Sequence, residues 1–163
     1  MKKLLFAAFA VLAFGAVNAQ GFKGGVHVGL PIGDAGDLYS FAAGVDLSYT
    51  WEVADNFTAG VTTGYSMFFG KSVDFGFGSF DVESAGFIPL AGTASYKVSD
   101  NIFLGADLGY ALGVAPTGND GGFLYYPKVG YAADKFDVYA GYRGISVTGG
   151  SINSINLGFS YKF

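Results

Sequence analysis

The chain has 163 residues, of which 51% are hydrophobic, 18% aromatic and only 13% charged; its formal net charge is −4 and it has no cysteine. That length fits one domain, and the composition is too apolar for a disordered chain. The acidic balance does not invite nucleic acid, and without cysteine there is no disulfide framework, thiolate metal site or cysteine-linked lipid.

Residues 1–19 predict a secretory signal peptide. Lys2 and Lys3 form a basic n-region, Leu4 to Val17 is an apolar run, and Val17 and Ala19 provide a small-x-small cleavage site before Gln20. The run is short for a bilayer, which needs about 20 apolar residues. Cleavage leaves one domain, residues 20–163. The nine basic residues less Lys2 and Lys3, set against 13 acidic ones, then give a net charge of −6.

Beyond residue 20, helical periodicity is absent and two-residue alternation predicts eight strands. In FKGGVHVGL, Phe22, Val26, Val28 and Leu30 oppose Lys23, Gly25, His27 and Gly29. YSFAAGVDLSYTW sets Tyr39, Phe41, Val45, Leu47, Tyr49 and Trp51 against Ser40, Gly44, Asp46, Ser48 and Thr50. FTAGVTTGYSMFF sets Phe57, Val61, Tyr65 and Phe69 against Thr58, Gly60, Thr62, Gly64 and Ser66. The fourth segment, VESAGFIPLAGTASYKV, is less regular. Val82, Ile88, Leu90, Ala94 and Tyr96 share a face, but Phe87 and Pro89 fall on the other, and Pro89 predicts a bulge or a weak point in pairing.

The remaining strands resume the rule. IFLGADLGYALGV places Asp107 on its small-residue face, FLYYPKVGYA places Tyr126 and Lys128 there, and FDVYAGYRGISV places Asp137, Tyr139 and Arg143 there. The C-terminal INLGFSYKF alternates Ile155, Leu157, Phe159, Tyr161 and Phe163 with Asn156, Gly158, Ser160 and Lys162. Three connections are short and carry Asp55-Asn56, Asp100-Asn101 and Asp134-Lys135, residues that favour turns. The intervening connections, PIGDAGDL, KSVDFGFGSFD, APTGNDGG and TGGSINS, are more varied, and glycine and aspartate dominate them.

The small-residue face is mostly Gly, Ser, Thr and Ala with scattered ionisable groups. It suits a narrow barrel interior better than a soluble surface, where Lys and Glu would crowd. The bulky face suits lipid. Aromatics near the strand ends predict two interfacial girdles: Trp51, Phe57, Tyr96, Tyr131, Phe136 and Phe163 by the short turns, and Tyr39, Tyr65, Phe69 and Tyr125 towards the loops. Hydrocarbon offers no partners for backbone groups, so spanning strands must close on themselves and the first must pair with the last. The fold class expected is therefore all-β: an eight-stranded, antiparallel, up-and-down transmembrane β-barrel preceded by a signal peptide.

In its leader, its eight segments, its short Asp-containing turns and its terminal Tyr161-Lys162-Phe163, the sequence resembles the small outer-membrane β-barrels of the OmpA/OmpX type. The resemblance implies a bacterial outer-membrane location, contact with membrane lipid and lipopolysaccharide, and Tyr161 and Phe163 as a recognition signal for the barrel-assembly machinery. An interior only wide enough for side chains predicts that Lys23, His27, Asp46, Asp107, Lys128, Asp137, Arg143 and Lys162 form a packed network of ion pairs. KSVDFGFGSFD predicts a projecting hairpin offering Phe75, Phe77 and Phe80 to an extracellular partner or to lipopolysaccharide. The function expected is structural or surface contact by a monomer. A narrow porin-like channel is the alternative, and a lipid-modifying enzyme using His27 with Ser40, Asp46 or Ser160 is a weaker third. We expect no catalytic residues, no metal and no cofactor.

Overall fold

The computed structural model describes residues 21–74 and 79–163; the leader expected at residues 1–19, and Phe75 and Phe77, lie outside them. Ten strands are present among the described residues: β1 (Phe22–Ile32), β2 (Tyr39–Ala54), β3 (Phe57–Gly70), β4 (Ser72–Asp74), β5 (Ser79–Asp81), β6 (Ala85–Lys97), β7 (Ile102–Ala115), β8 (Gly122–Ala132), β9 (Phe136–Val147) and β10 (Gly150–Lys162). Eight close into a barrel in the order β1-β10-β9-β8-β7-β6-β3-β2, and every pairing is antiparallel. β4 and β5 form a separate two-stranded ribbon between β3 and β6.

Closure runs from Lys23 opposite Lys162 to Ile32 opposite Asn153. The seam is tied off where Phe163 N–H donates to the Phe22 carbonyl at 3.1 Å. Phe163 also packs its ring 5.7 Å from Phe22 and 5.4 Å from Tyr161. A 13-residue strand extends roughly 43 Å, long enough to cross an apolar band of about 25 Å at a barrel tilt.

One end of the barrel carries Gly21, Phe163 and the three short connections. The tightest is a two-residue turn in which Ala54 pairs with Phe57 and Asn56 takes a left-handed φ of 62°, a conformation asparagine tolerates. The other end carries the more varied connections, among them a two-residue turn in which Val147 pairs with Gly150. One contains a five-residue helix, α1 (Asp34–Leu38), where the sequence pattern predicts no helix; one turn is too short for periodicity to register.

Alternation is realised as predicted through most of the wall. Thirty-three large hydrophobic side chains are exposed among the described residues, including Leu30, Val61, Leu108, Val129 and Leu157. Monomeric soluble proteins rarely expose a contiguous apolar patch larger than a few hundred Å², whereas this belt encircles the barrel. The mid-strand prolines interrupt pairing locally. Between β3 and β6, pairs are recorded at Thr63–Leu90 and Ser66–Phe87 but not at the two steps between them, where Pro89 lies. A register shift beside β7 falls at Gly86/Phe87.

Three predicted positions are corrected. Tyr39 is not in the lipid girdle: a register shift between Tyr39 and Phe41 turns it onto an interior apolar cluster, 5.8 Å from the Phe68 ring. The same shift leaves Ser40 exposed, its hydroxyl donating to the Phe69 carbonyl, instead of facing the lumen. The fourth barrel strand begins at Ala85, so Val82 precedes it.

Candidate functional site

The interior has three layers. At the loop end lies an apolar plug of Ala42, Phe68, Ala85, Phe87, Ala111, Leu124 and Ile145, all buried, with Tyr39, Val147 and Ile152 packed against it. Phe68 and Phe87 meet edge to face at 5.9 Å. This plug adds large apolar side chains to an inner face expected to be mostly Gly, Ser, Thr and Ala, and it explains why Phe87 breaks the pattern of its strand: it is a lumen residue.

The middle layer is a charged knot. His27 Nδ1 lies 2.7 Å from Asp46 Oδ2. Arg143 Nη1 donates to His27 Nε2 at 2.9 Å and to the Ser66 hydroxyl, and Nη2 reaches Asp46 Oδ1 at 3.4 Å. Because Nε2 accepts from a guanidinium, the neutral ring carries its proton on Nδ1 and donates it to Asp46. The Arg143 guanidinium stacks 4.5 Å from the Tyr126 ring centroid. Gly44 makes this closeness attainable. It sits in register between His27 on β1 and Ser66 on β3, and a Cβ there would strike the His27 ring and the Tyr65 carbonyl.

The third layer is a chamber of about 320 Å³ at the short-turn end, lined by Lys23, Asp107, Lys128, Asp137, Lys162 and Tyr126 together with Ser and Thr hydroxyls. Lys128 holds both Asp107 oxygens at 2.8 Å. Lys23 donates to Asp137 Oδ2 at 2.9 Å. Lys162 stands 2.7 Å from Asp137 Oδ1 and donates to the Ala133 carbonyl at 2.6 Å. Thus Lys23, Asp137 and Lys162 form one cluster, Asp107 and Lys128 a second, and His27, Asp46 and Arg143 a third. Ser66 joins that third group although sequence reasoning paired His27 with Ser40 or Ser160. The signal lay in the cross-strand register, which alternation does not supply.

Asp46, His27 and Ser66 have the residue types of a hydrolytic triad, with Nε2 3.2 Å from the Ser66 hydroxyl. Their surroundings oppose that chemistry. Nε2 is already engaged by a permanent cation, so taking a proton from Ser66 would set an imidazolium against the guanidinium. Ser66 and His27 are each 2% exposed, and neither lines the chamber. No group of three or more His, Cys, Asp or Glu side chains suited to holding a metal ion occurs among the described residues. Of the predicted surface hairpin, Phe80 is exposed on the β4–β5 ribbon.

The chain has the eight-stranded fold of small outer-membrane β-barrels. The outer membrane protein Ail of Yersinia pestis, in a phospholipid nanodisc, superposes with a TM-score of 0.58 at 17% identity, over 86% of this chain and 99% of Ail. A de novo designed transmembrane β-barrel gives 0.54 at 16% identity, over 90% and 98%. The N-terminal barrel domain of Pseudomonas aeruginosa OprF gives 0.50 at 14% identity, over 88% and 98%. No protein-family model and no curated protein sequence matches the chain.

Proposed function

We propose, starting from a fold shared with small outer-membrane barrels, that this chain is an integral outer-membrane protein. Its barrel is a sealed structural wall element, and its work is membrane integrity or surface contact through the loops. The observation that carries this reading is the stacking of an apolar plug on a charged knot inside a wall whose outer side is apolar all round. A pore needs a continuous polar path, whereas Phe68, Phe87, Leu124 and Ile145 fill the loop end. The end with Gly21, Phe163 and the three short connections faces the periplasm, and the end with the β4–β5 ribbon faces outward. Its partners on this reading are acyl chains and lipopolysaccharide, the assembly machinery that reads the strand ending in Tyr161 and Phe163, and an extracellular partner at the ribbon. The barrel acts as a monomer.

Planar-bilayer recording of the refolded barrel tests the sealed lumen. The expected result is no steady current, and stable open channels would favour the second reading. That reading, a narrow channel for very small solutes, draws its support from the polar chamber of about 320 Å³ at the short-turn end. We assign no catalytic role to His27, Asp46 or Ser66.

A further inference from the structure

We propose that the polar chamber at the short-turn end binds a small oxyanion, a free carboxylate or phosphate. This goes beyond the reading of the barrel as a sealed wall, and binding does not depend on which leaflet the chamber faces.

The first support is charge. Inside the barrel, four permanent cations (Lys23, Lys128, Arg143 and Lys162) face three carboxylates (Asp46, Asp107 and Asp137). Glu52 and Lys97, on the exposed rim of the chamber, cancel one another. A protein that is acidic overall therefore carries an excess positive charge within its lumen, where charge is poorly solvated. The excess is localised. Lys23 and Lys162 stand directly opposite one another on neighbouring strands, an arrangement that is repulsive unless an anion intervenes. Asp137 is shared between them and matches only one.

Hydrogen-bonding capacity is the second support. Each ammonium has three donors. Lys23 spends one on Asp137, and Lys162 spends one on Ala133 beside its ion contact. The Ser48, Thr50, Thr93 and Ser160 hydroxyls also line the chamber. Tyr126 supplies an independent sign: it lines the same chamber, is 1% exposed, and its buried hydroxyl has no hydrogen-bond partner. A buried hydroxyl left unpaired is rare. Asp107 and Asp137 lie in ion contact with lysines, although Asp137 Oδ1 accepts no hydrogen bond, and the donors in excess of these carboxylates suit an acceptor-rich anion. The chamber's 320 Å³ accommodates one with some of its water.

The test uses the refolded barrel in detergent micelles, titrated with inorganic phosphate and separately with acetate at constant ionic strength made up with sodium chloride. Calorimetry and phosphate 31P line width provide the readouts. We expect saturable binding by at least one of the two, and the stronger arm identifies the head group. Lys162→Gln, which removes the excess charge, should weaken binding about tenfold or more, the loss of one hydrogen bond to a charged group. Tyr126→Phe, which alters no charge, should weaken it several-fold. Lys135→Gln, a turn lysine outside the chamber lining, should leave affinity unchanged. Absence of saturable binding by either anion would overturn the proposal, as would equal affinity in wild type and Lys162→Gln. If Lys162→Gln does not refold, Tyr126→Phe decides, and unchanged affinity in that variant would sink the idea.

Discussion

Replacing Arg143 by methionine removes the cation of the central knot while keeping a side chain of similar reach. Arg143 is 3% exposed and serves His27, Ser66 and Asp46 together. Breaking a buried pair by deleting one partner costs about 3–5 kcal/mol, because the remaining charge is stranded. Asp46 retains His27 at 2.7 Å and the Tyr139 hydroxyl at 3.4 Å, and it borders the chamber. Residual solvation there places Arg143→Met at the low end, about 3 kcal/mol. The double variant Arg143→Met with Asp46→Asn removes both charges, and it should recover more than half of that loss, since no buried charge is then left without its partner. Urea unfolding in lipid vesicles, followed by fluorescence of Trp51, the single tryptophan, reads both numbers. A single variant within 1 kcal/mol of wild type, or a double variant as unstable as the single, would refute the view that these charges hold the barrel as a coupled group.

The loop-end plug carries its own prediction. Phe87→Ala empties a fully buried site between Phe68 and the β7 wall, and it should cost about 3–5 kcal/mol. Because Phe87 is part of the seal, the same variant should raise the frequency of brief bilayer currents; unaltered stability with unaltered silence would mean that the plug does not pack as described. His27→Gln should leave the acylation pattern of co-purified lipopolysaccharide unchanged by mass spectrometry, and a reproducible loss of one modified species would revive the hydrolytic reading.

Wall alternation was legible because one face of every strand meets a different medium, and a period of two survives any cross-strand stagger. Hence Lys23, His27, Asp46, Asp107, Lys128, Asp137, Arg143 and Lys162 could each be placed on the inner face without knowing their neighbours. Which of them touch could not be read, because pairing depends on register. Ser66 meets His27 only because Gly44 stands between them in the ladder. The apolar plug left a fainter trace. Phe68-Phe69, Phe87-Ile88 and Phe123-Leu124-Tyr125 are runs of consecutive large apolar residues at the loop ends of their strands. There the interior is itself apolar and alternation of polarity fails. Tyr39 and Ser40 were misplaced for a third reason: a register shift at the start of β2 reverses facing locally, and a strand's first residues provide too few repeats to reveal it.

The central claim is that the bulky face of every barrel strand meets acyl chains. The absence of cysteine allows single-cysteine variants across β7, from Leu104 to Leu112, each labelled with an environment-sensitive fluorophore in vesicles containing lipids with quenchers on their chains. The account predicts strong quenching at Leu104, Ala106, Leu108, Tyr110 and Leu112 and weak quenching at Gly105, Asp107, Gly109 and Ala111. Uniform quenching, a reversed phase, or an unlabelled chain that stays folded and dissolved without any amphiphile would contradict it.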